Sequence, residues 1–211
     1  IYNDNKICIS HCTFDNNNTS NLIYATNKST QTIIKQNHFS NNNSQKYGGC
    51  IYSNKGQNII ISDNTFKNNQ ATIDGNSITI ASNAIIKNNN FENTTDNNNA
   101  EINILIGNVN IENNSFKTKK YCIKNLNGNV SANYNYWNSN NINTIQSKIL
   151  GNIKIEEWLL CNYKINPINT KDNNFIKGHE YHIYPNINKY NSKTEPYINE
   201  YNITPPTTKF N

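Results

Sequence analysis

A phrase of eight residues that ends on an aromatic ring recurs six times in this chain of 211 residues. Each copy has Ile or Ala five residues before the ring, and an Asn two residues before it that is once replaced by Cys. The rings are spaced 25, 27, 25, 25 and 21 residues apart and are Phe14, Phe39, Phe66, Phe91, Phe116 and Trp137. Because a unit this short cannot bury its own apolar face, such a period is typical of stacked coils.

The residues seven and five places before each ring, such as Ile59 and Ile61, lie on one side of a short strand because side chains alternate. We expect these pairs to point inward, followed by a polar turn in which Asn adopts the left-handed conformation. Stacking then predicts an internal ladder of amide side chains, with Cys12 breaking it in the first coil. The ladder residues are Asn37, Asn64, Asn89, Asn114 and Asn135.

A second apolar run follows the Asn-rich loop after each ring, as in Leu22–Tyr24. Glycines precede this run at Gly48, Gly49 and Gly75, where a turn needs a positive φ or two backbones approach closely. There are two or three short strands per coil and no helical periodicity. This pattern predicts an all-β fold, a right-handed single-stranded parallel β-helix (solenoid) of about six coils with a short C-terminal extension.

The repeats predict a β-helix domain over residues 1–161, whose terminal coil at about residues 130–160 closes the end of the solenoid. The bulky side chains expected to form this closure are Trp137, Ile149, Ile153, Ile155, Trp158 and Leu159. All five Pro and six of the thirteen Tyr lie beyond residue 161. We therefore expect residues 162–211 to be a linker or the start of a truncated β-sandwich, with a strand at Tyr181–Tyr184.

Charged residues are sparse, with 19 Lys against 14 Asp and Glu, and they give a net charge of +5. The chain contains no Arg and no basic run. Because Arg supplies the planar pair of donors that clamps phosphate or guanine, nucleic acid is not an expected partner. About a quarter of the residues are Asn, which could indicate a disordered tract. The single column that collects five of the seven Phe argues for an ordered fold instead.

The five cysteines, an odd number without a Cys-x-x-Cys pair, are Cys8, Cys12, Cys50, Cys122 and Cys161. This pattern indicates neither a disulfide framework nor a zinc site, and we expect the thiols to fill inward positions as small apolar groups. His179 and His182 lack a third ligand, so no metal or cofactor is predicted. The chain begins at Ile1 rather than Met, and we expect a fragment whose export signal and anchor lie elsewhere in its parent.

Two motifs connect the repeat to known families. Phe39-Ser-Asn-Asn42 followed by Gly48-Gly-Cys-Ile51 resembles the FxxN and GGxI signatures of polymorphic outer-membrane protein repeats, and FxxN recurs at residues 14–17 and 66–69. The phrase Asn135-Tyr-Trp137, with the segment up to Trp158, is similar to the last coil of adhesin-like surface proteins of methanogenic archaea. The resemblance covers about residues 1–161. It implies a right-handed β-helix displayed outside the cell, with adhesion as its function.

Enzymes that degrade polysaccharides also use β-helices, but they need carboxylates grouped on neighbouring coils. The outward columns of this chain mix or alternate their charges instead, which favours a surface ladder that sets the register. One column contains Asp15, Ser40, Lys67, Glu92 and Lys117, and another contains Ser10, Lys35, Ser62, Lys87, Glu112 and Asn133. We therefore predict no catalytic residues, with a polysaccharide lyase or glycosidase as the alternative.

One outward column is apolar for three consecutive coils, where it contains Ile33, Ile60 and Ile85. These side chains are either covered by a loop or form a contact surface flanked by Lys35 and Lys87. The Asn-rich connections are long enough to fold back, so we expect a loop to cover them. If the column is open, it is the candidate ligand-binding surface.

Taken together, these patterns predict a non-catalytic, adhesin-like fragment from a cell surface or the extracellular space. Its rod would present repeated weak contacts to glycans or proteins of host or microbial surfaces, and multivalency would strengthen the attachment. A purely structural surface stalk that binds no ligand is a second alternative to the enzyme.

Overall fold

A computed structural model of the protein describes residues 1–55, 58–95, 97–167, 181–192 and 199–200, with side chains as far as residue 161. The strands up to residue 93 are β1 (Tyr2–Asn3), β2 (Lys6–Ser10), β3 (Thr13–Asp15), β4 (Asn18–Thr19), β5 (Ile23–Ala25), β6 (Gln31–Lys35), β7 (His38–Ser40), β8 (Asn43–Ser44), β9 (Ile51–Asn54), β10 (Ile59–Ser62), β11 (Thr65–Lys67), β12 (Gln70–Ala71), β13 (Ile78–Ala81), β14 (Ala84–Lys87) and β15 (Asn90–Asn93). The later elements are β16 (Ile102–Glu112), β17 (Ser115–Thr118), β18 (Ile123–Ser131), helix α1 (Ile142–Ser147), β19 (Ile149–Leu150), β20 (Glu157–Pro167), β21 (Tyr181–Ser192) and β22 (Asn199–Glu200).

The strands before β20 form three faces of a solenoid, and each strand pairs in parallel with the equivalent strand of the next coil. Face 1 contains β1, β5, β9, β13, the first parts of β16 and β18, and β19. Face 2 contains β2, β6, β10, β14 and the second parts of β16 and β18. Face 3 contains β3, β7, β11, β15 and β17, and a short fourth ladder contains β4, β8 and β12. The predicted parallel β-helix of about six coils is confirmed.

The six aromatic rings stack inside this solenoid as the repeat predicted. Consecutive ring centroids are 4.9–5.0 Å apart and their planes lie within 16° of each other. The five rings from Phe39 to Trp137 are at most 1% exposed, and Phe14 in the first coil is half-buried. The spacing matches the ~4.8 Å between neighbouring strands, so the coil repeat itself brings the rings into contact.

The predicted amide ladder is also confirmed. From Asn37 to Asn135, the backbone N–H and the Nδ2 of each ladder residue donate to the Oδ1 of the next, at 2.9–3.0 Å. Each Nδ2 also lies near two backbone carbonyl oxygens, which for Asn89 are those of Ile61 and Lys87, both at 2.9 Å. Cys12 begins the ladder through its backbone N–H, which donates to Asn37 Oδ1 at 3.0 Å.

A second amide ladder follows the rings and was not predicted from the sequence. Its members are the last residues of the three FxxN phrases, Asn17, Asn42 and Asn69. The Nδ2 of Asn17 donates to Asn42 Oδ1, and the Nδ2 of Asn42 donates to Asn69 Oδ1, both at 2.9 Å. Asn42 and Asn69 also donate to the carbonyl oxygens of Phe14 and Phe39 at 3.0 Å. The FxxN phrases therefore tie the first three coils together.

The polar turn before each ring is left-handed in all six coils, with φ between 55° and 58° at the residue three places before the ring. The expectation that Asn occupies this turn is wrong for four coils. The residues found there are His11, Gln36, Asp63, Asn88, Asn113 and Tyr134. The predicted glycine turn is confirmed: Gly48 has a φ of +66°, and a Cβ on Gly49 would lie 1.9 Å from the carbonyl oxygen of Asn76.

The C-terminal end of the solenoid is closed by the predicted segment, which adds a partial further layer. Ile149 pairs with Ile123 on face 1, and bridges join Lys154 to Ser131 and Trp158 to Asn135. The side chains of Trp137, Ile155, Trp158 and Leu159 are buried, and those of Ile149 and Ile153 pack against the core. The closure also contains α1, a helix too short to give a periodic signal. Its N-cap is Asn141 and it buries Ile145.

Beyond the closure, β20 pairs antiparallel with β21, and β21 with β22. The predicted strand at Tyr181–Tyr184 is confirmed as part of β21. β20 runs through residue 161, and the assignment of residues 162–211 to a linker or a β-sandwich stays a prediction. Residues 168–180, including His179, lie outside the described residues, as do 193–198 and 201–211.

The prediction that the thiols point inward is confirmed for Cys50 and Cys122, which are fully buried. It is wrong for Cys8 and Cys12, which are exposed, and Cys161 is half-buried. Cys8 occupies the outward side of edge strand β2, because the strand's inward positions are filled by Ile. All five cysteines are free.

We expect replacement of Asn89 by Ala to destabilise the protein by about 2–6 kcal/mol. The substitution leaves buried backbone groups of Ile61 and Asn64 without their partner, and each unsatisfied group costs about 1–3 kcal/mol. Urea unfolding monitored by circular dichroism measures the change. The exposed Asn127→Ala serves as the matched control, and an equal loss in both variants would contradict a special role for the ladder.

We expect Gln36→Gly to raise the free energy of unfolding by about 0.5–1 kcal/mol. A left-handed residue with a Cβ costs about 1–2 kcal/mol, and the extra chain entropy of Gly offsets part of the gain. The neighbouring exposed Lys35 lies in β6, so Lys35→Gly should lower stability instead. Thermal unfolding of both variants tests the turn, and a lower melting temperature for Gln36→Gly would refute it.

Candidate functional site

A groove of about 550 Å³ runs along the outside of face 2 and crosses several coils. Its floor includes Ile60 and Ile85, which lie opposite each other in the register of β10 and β14. Asn110 and Ser131 continue the same column in the next two coils. The candidate column proposed from the sequence therefore forms part of a concave surface, which we call the face 2 groove.

The expectation that a loop covers the isoleucine column is wrong. Ile85 is 40% exposed, and Ile33 and Ile60 are half-buried. After the rings of the first three coils, the chain instead forms the short fourth ladder of β4, β8 and β12. The outer side of face 2 is thus open, which is the condition under which the column is the candidate ligand-binding surface.

One rim of the groove is a column of exposed side-chain amides, which the sequence analysis did not identify. Its residues stand two positions before the isoleucine column and are Asn58, Asn83, Asn108 and Asn129. Asn83 Oδ1 accepts from the backbone N–H of Asn108 at 2.9 Å, and Asn129 Nδ2 donates to Asn108 Oδ1 at 3.2 Å. Their constant distance of eight residues before each ring was the signal available in the sequence.

The other side of the groove is bordered by the predicted charged column. Lys35 is exposed, Lys87 is half-buried, and Ser62 between them is buried. Lys87 lies opposite Glu112 in the register of β14 and β16. On face 3, the Glu92 carboxylate and the Lys117 ammonium approach to 3.5 Å, as expected for a ladder of alternating charges. The groove itself has no acidic residue among its described lining residues.

The most perturbed carboxylate lies elsewhere, inside the bend that precedes β16. Glu101 is 2% exposed; its Oε2 accepts from Ser77 Oγ at 2.8 Å and its Oε1 from Asn93 Nδ2 at 2.6 Å. Burial raises the pKa of Glu101 to about 7, and the donors from Ser77 and Asn93 offset part of that rise. Sequence reasoning did not single out this residue, because nothing in its local pattern distinguishes an inward Glu from an exposed one.

The surroundings of Glu101 leave no room for a substrate. The cavity beside it has a volume of about 10 Å³, which suits a single water molecule. A second buried carboxylate is that of Asp74, which Lys124 neutralises at 2.7 Å and which accepts backbone N–H groups from Gly75 and Ala100. Both carboxylates thus hold loops of neighbouring coils together.

Glu101 makes the stability of the protein depend on pH. The native pKa of about 7 lies above the ordinary value of 4.5, so the stabilisation from the protonated carboxyl is complete below about pH 4.5. It is lost as the pH rises through about 7, by an amount on the order of 3 kcal/mol. Urea unfolding at pH 5 and pH 8.5 should show this loss in the native protein and not in Glu101→Gln. Exposed Glu156→Gln is the control, and an unchanged pH dependence in Glu101→Gln would contradict the assignment.

Within the described residues, no group of three or more His, Cys, Asp or Glu side chains is placed to hold a metal ion. The same part of the chain contains no helix that is both long and apolar enough to span a membrane. Comparison with protein-family models, with curated proteins and with solved structures gave no match for this chain.

Proposed function

We propose that this chain is a non-catalytic, adhesin-like binding domain of a cell-surface or extracellular protein. It attaches to glycans of host or microbial surfaces through the face 2 groove. The observation that carries the proposal is the repetition of similar side chains along the groove. An amide rim borders an open floor, and lysine side chains lie beside the aliphatic part of that floor. The resemblance of the FxxN repeats to surface proteins supports the same reading.

The chemistry of the groove matches that of a sugar chain. A side-chain amide offers a donor and an acceptor, and a sugar hydroxyl needs both. Isoleucine side chains such as Ile60 and Ile85 provide an apolar floor for the C–H faces of the rings, while Lys35 and Lys87 attract acidic substituents. Binding sites of this kind combine an apolar surface with a few orienting polar groups.

The repeat of the solenoid turns weak contacts into attachment. Exposed amides recur in successive coils, spaced by about one strand separation of ~4.8 Å. An extended polymer that lies along the groove can therefore meet several equivalent subsites at once. Because the subsites belong to one rigid body, the second and later contacts form at high effective concentration.

The enzyme alternative has less support. A glycosidase needs two carboxylates on either side of the scissile bond, and no described residue that lines the groove is acidic. Glu101 has the raised pKa expected of a general acid, but its cavity of about 10 Å³ does not admit a sugar ring. The stalk alternative predicts that no glycan is retained.

We expect the double variant Lys35→Gln with Ile60→Thr to bind retained glycans at least about tenfold more weakly, which corresponds to the loss of about 1.4 kcal/mol. Thr keeps a β-branched side chain in β10, so the strand is preserved. A panel of plant, mucin and microbial glycans, read by retention of the labelled protein, measures the effect. The control is Lys67→Gln, which makes the same charge change on exposed face 3.

The outcomes separate the three functions. Retention that falls in the groove variant and not in Lys67→Gln, with no release of reducing or unsaturated ends, supports the binding domain. Release of such ends from the same glycans would establish the enzyme. Absence of retention on every glycan would favour the stalk, and equal retention by the native protein and the groove variant would refute the groove as the site.

A further inference from the structure

A cluster of four tyrosines lies on the outside of face 1, on a different face of the solenoid from the face 2 groove. Tyr2, Tyr24 and Tyr52 lie opposite one another in the register of β1, β5 and β9. Their ring centroids are 5.5 and 5.3 Å apart, and Tyr47 from the preceding bend approaches Tyr52 to 6.2 Å. We call these four residues the tyrosine strip.

The strip is confined to three rows of face 1. The same outward column continues with Thr79, Asn103 and Lys124, so aromatic side chains are not a general property of the column. Stacking inside a core does not explain them either, because Tyr2 is 70% exposed and the other three rings are half-buried. A cluster of four aromatic rings on a solvent-exposed surface is typical of a binding site.

Polar groups border the strip on one side and form a depression of about 390 Å³ with it. Ser20, Asn21 and Lys46 line this depression together with the rings of Tyr2, Tyr24 and Tyr52. Asn54 Nδ2 donates to the hydroxyl oxygen of Tyr24 at 2.8 Å, which orients that ring. Burial raises the pKa of Tyr52, and the neighbouring Tyr24 and Tyr47 raise it further.

Lys46 places a positively charged side chain at the depression. This side chain is exposed, and among the described residues its ammonium group takes part in no ion pair. No acidic residue lines the depression in the described part of the chain. An anionic group on a bound molecule would therefore meet an unneutralised cation beside an aromatic surface.

We infer that the tyrosine strip is a second binding site, separate from the face 2 groove, for an acidic saccharide. The apolar C–H side of a pyranose ring packs on Tyr2 and Tyr24, and its carboxylate or sulfate group pairs with Lys46. The tyrosine hydroxyls and Ser20 are placed to bond the ring hydroxyls. The exposed ammonium group of Lys46 favours an acidic ligand over an apolar peptide, which would leave that charge without a partner.

The test uses calorimetric titration with three probes: galacturonate oligomers, which carry only carboxylates, κ-carrageenan oligomers, which carry only sulfate groups, and neutral maltohexaose. We expect the native protein to bind at least one of the acidic probes at least about tenfold more tightly than the neutral one. The two acidic arms distinguish a carboxylate from a sulfate ligand. Absence of binding by both acidic probes would overturn the inference.

Variants assign the binding to the strip. We expect Tyr24→Val, which keeps a strand-forming residue in β5, to lower the affinity for the acidic probe at least about tenfold. Lys46→Gln should remove the preference for the acidic over the neutral sugar. Tyr2→Ala gives the same readout at the most exposed ring if Tyr24→Val does not fold. Lys67→Gln is the charge-matched control on face 3. Unchanged binding in all three strip variants would refute the site.

The face 2 double variant, Lys35→Gln with Ile60→Thr, separates this inference from the proposed function. If the acidic probe binds the double variant as tightly as it binds the native protein, its binding site is the tyrosine strip. If that variant loses the acidic probe and the strip variants retain it, the ligand occupies the groove and the strip is not a saccharide site.

Discussion

Everything in this solenoid depends on how buried turns satisfy their backbone groups without water. The strands up to β15 are only two to five residues long, so each of these coils turns sharply inside the protein. The Asn of each coil meets this demand with one side chain, which binds the carbonyl oxygens of two coils and accepts two N–H groups from the coil before. Because Nδ2 of one Asn requires Oδ1 of the next, the ladder holds the coils from Asn37 to Asn135 in one register.

The sequence predicted the interior of the solenoid well, because each inward side chain packs against the equivalent, similar side chain of the next coil. The ring column, the Asn37–Asn135 ladder and the Ile pairs all follow from one period and from alternation along a strand. The outside was predicted less well. The second ladder and the amide rim share the same period, yet exposed and buried Asn look alike in a chain with so much Asn. Cys8, Cys12 and the turn residues such as Tyr134 were misjudged because there the backbone geometry, rather than residue type, sets the environment.

The two surfaces proposed as binding sites arise from the same rule applied outward. A position that repeats once per coil makes a column, and a column of one residue type makes an extended surface. On face 2 an amide column and an aliphatic column lie beside a mixed column that contains Lys35 and Lys87, and on face 1 a column is tyrosine for three rows. Glu101, the carboxylate whose pKa is raised to about 7, lies inside the solenoid instead. There it accepts hydrogen bonds from Ser77 and from Asn93 at the end of β15. Carboxylates on the outside, such as that of Glu92, stand in columns of mixed charge, whereas amides and aromatic rings form the surfaces proposed as binding sites.

Hydrogen exchange of the asparagine side chains, followed by nuclear magnetic resonance, tests the central role of the ladder most directly. The Nδ2 protons of Asn64, Asn89 and Asn114 should exchange only through opening of the solenoid, at rates similar to those of the buried backbone amides of β10 and β14. The exposed side chains of Asn43 and Asn127 should exchange at the rate of a free amide. If the ladder side chains exchange as fast as these two, the coils are not held together by a continuous column of amides.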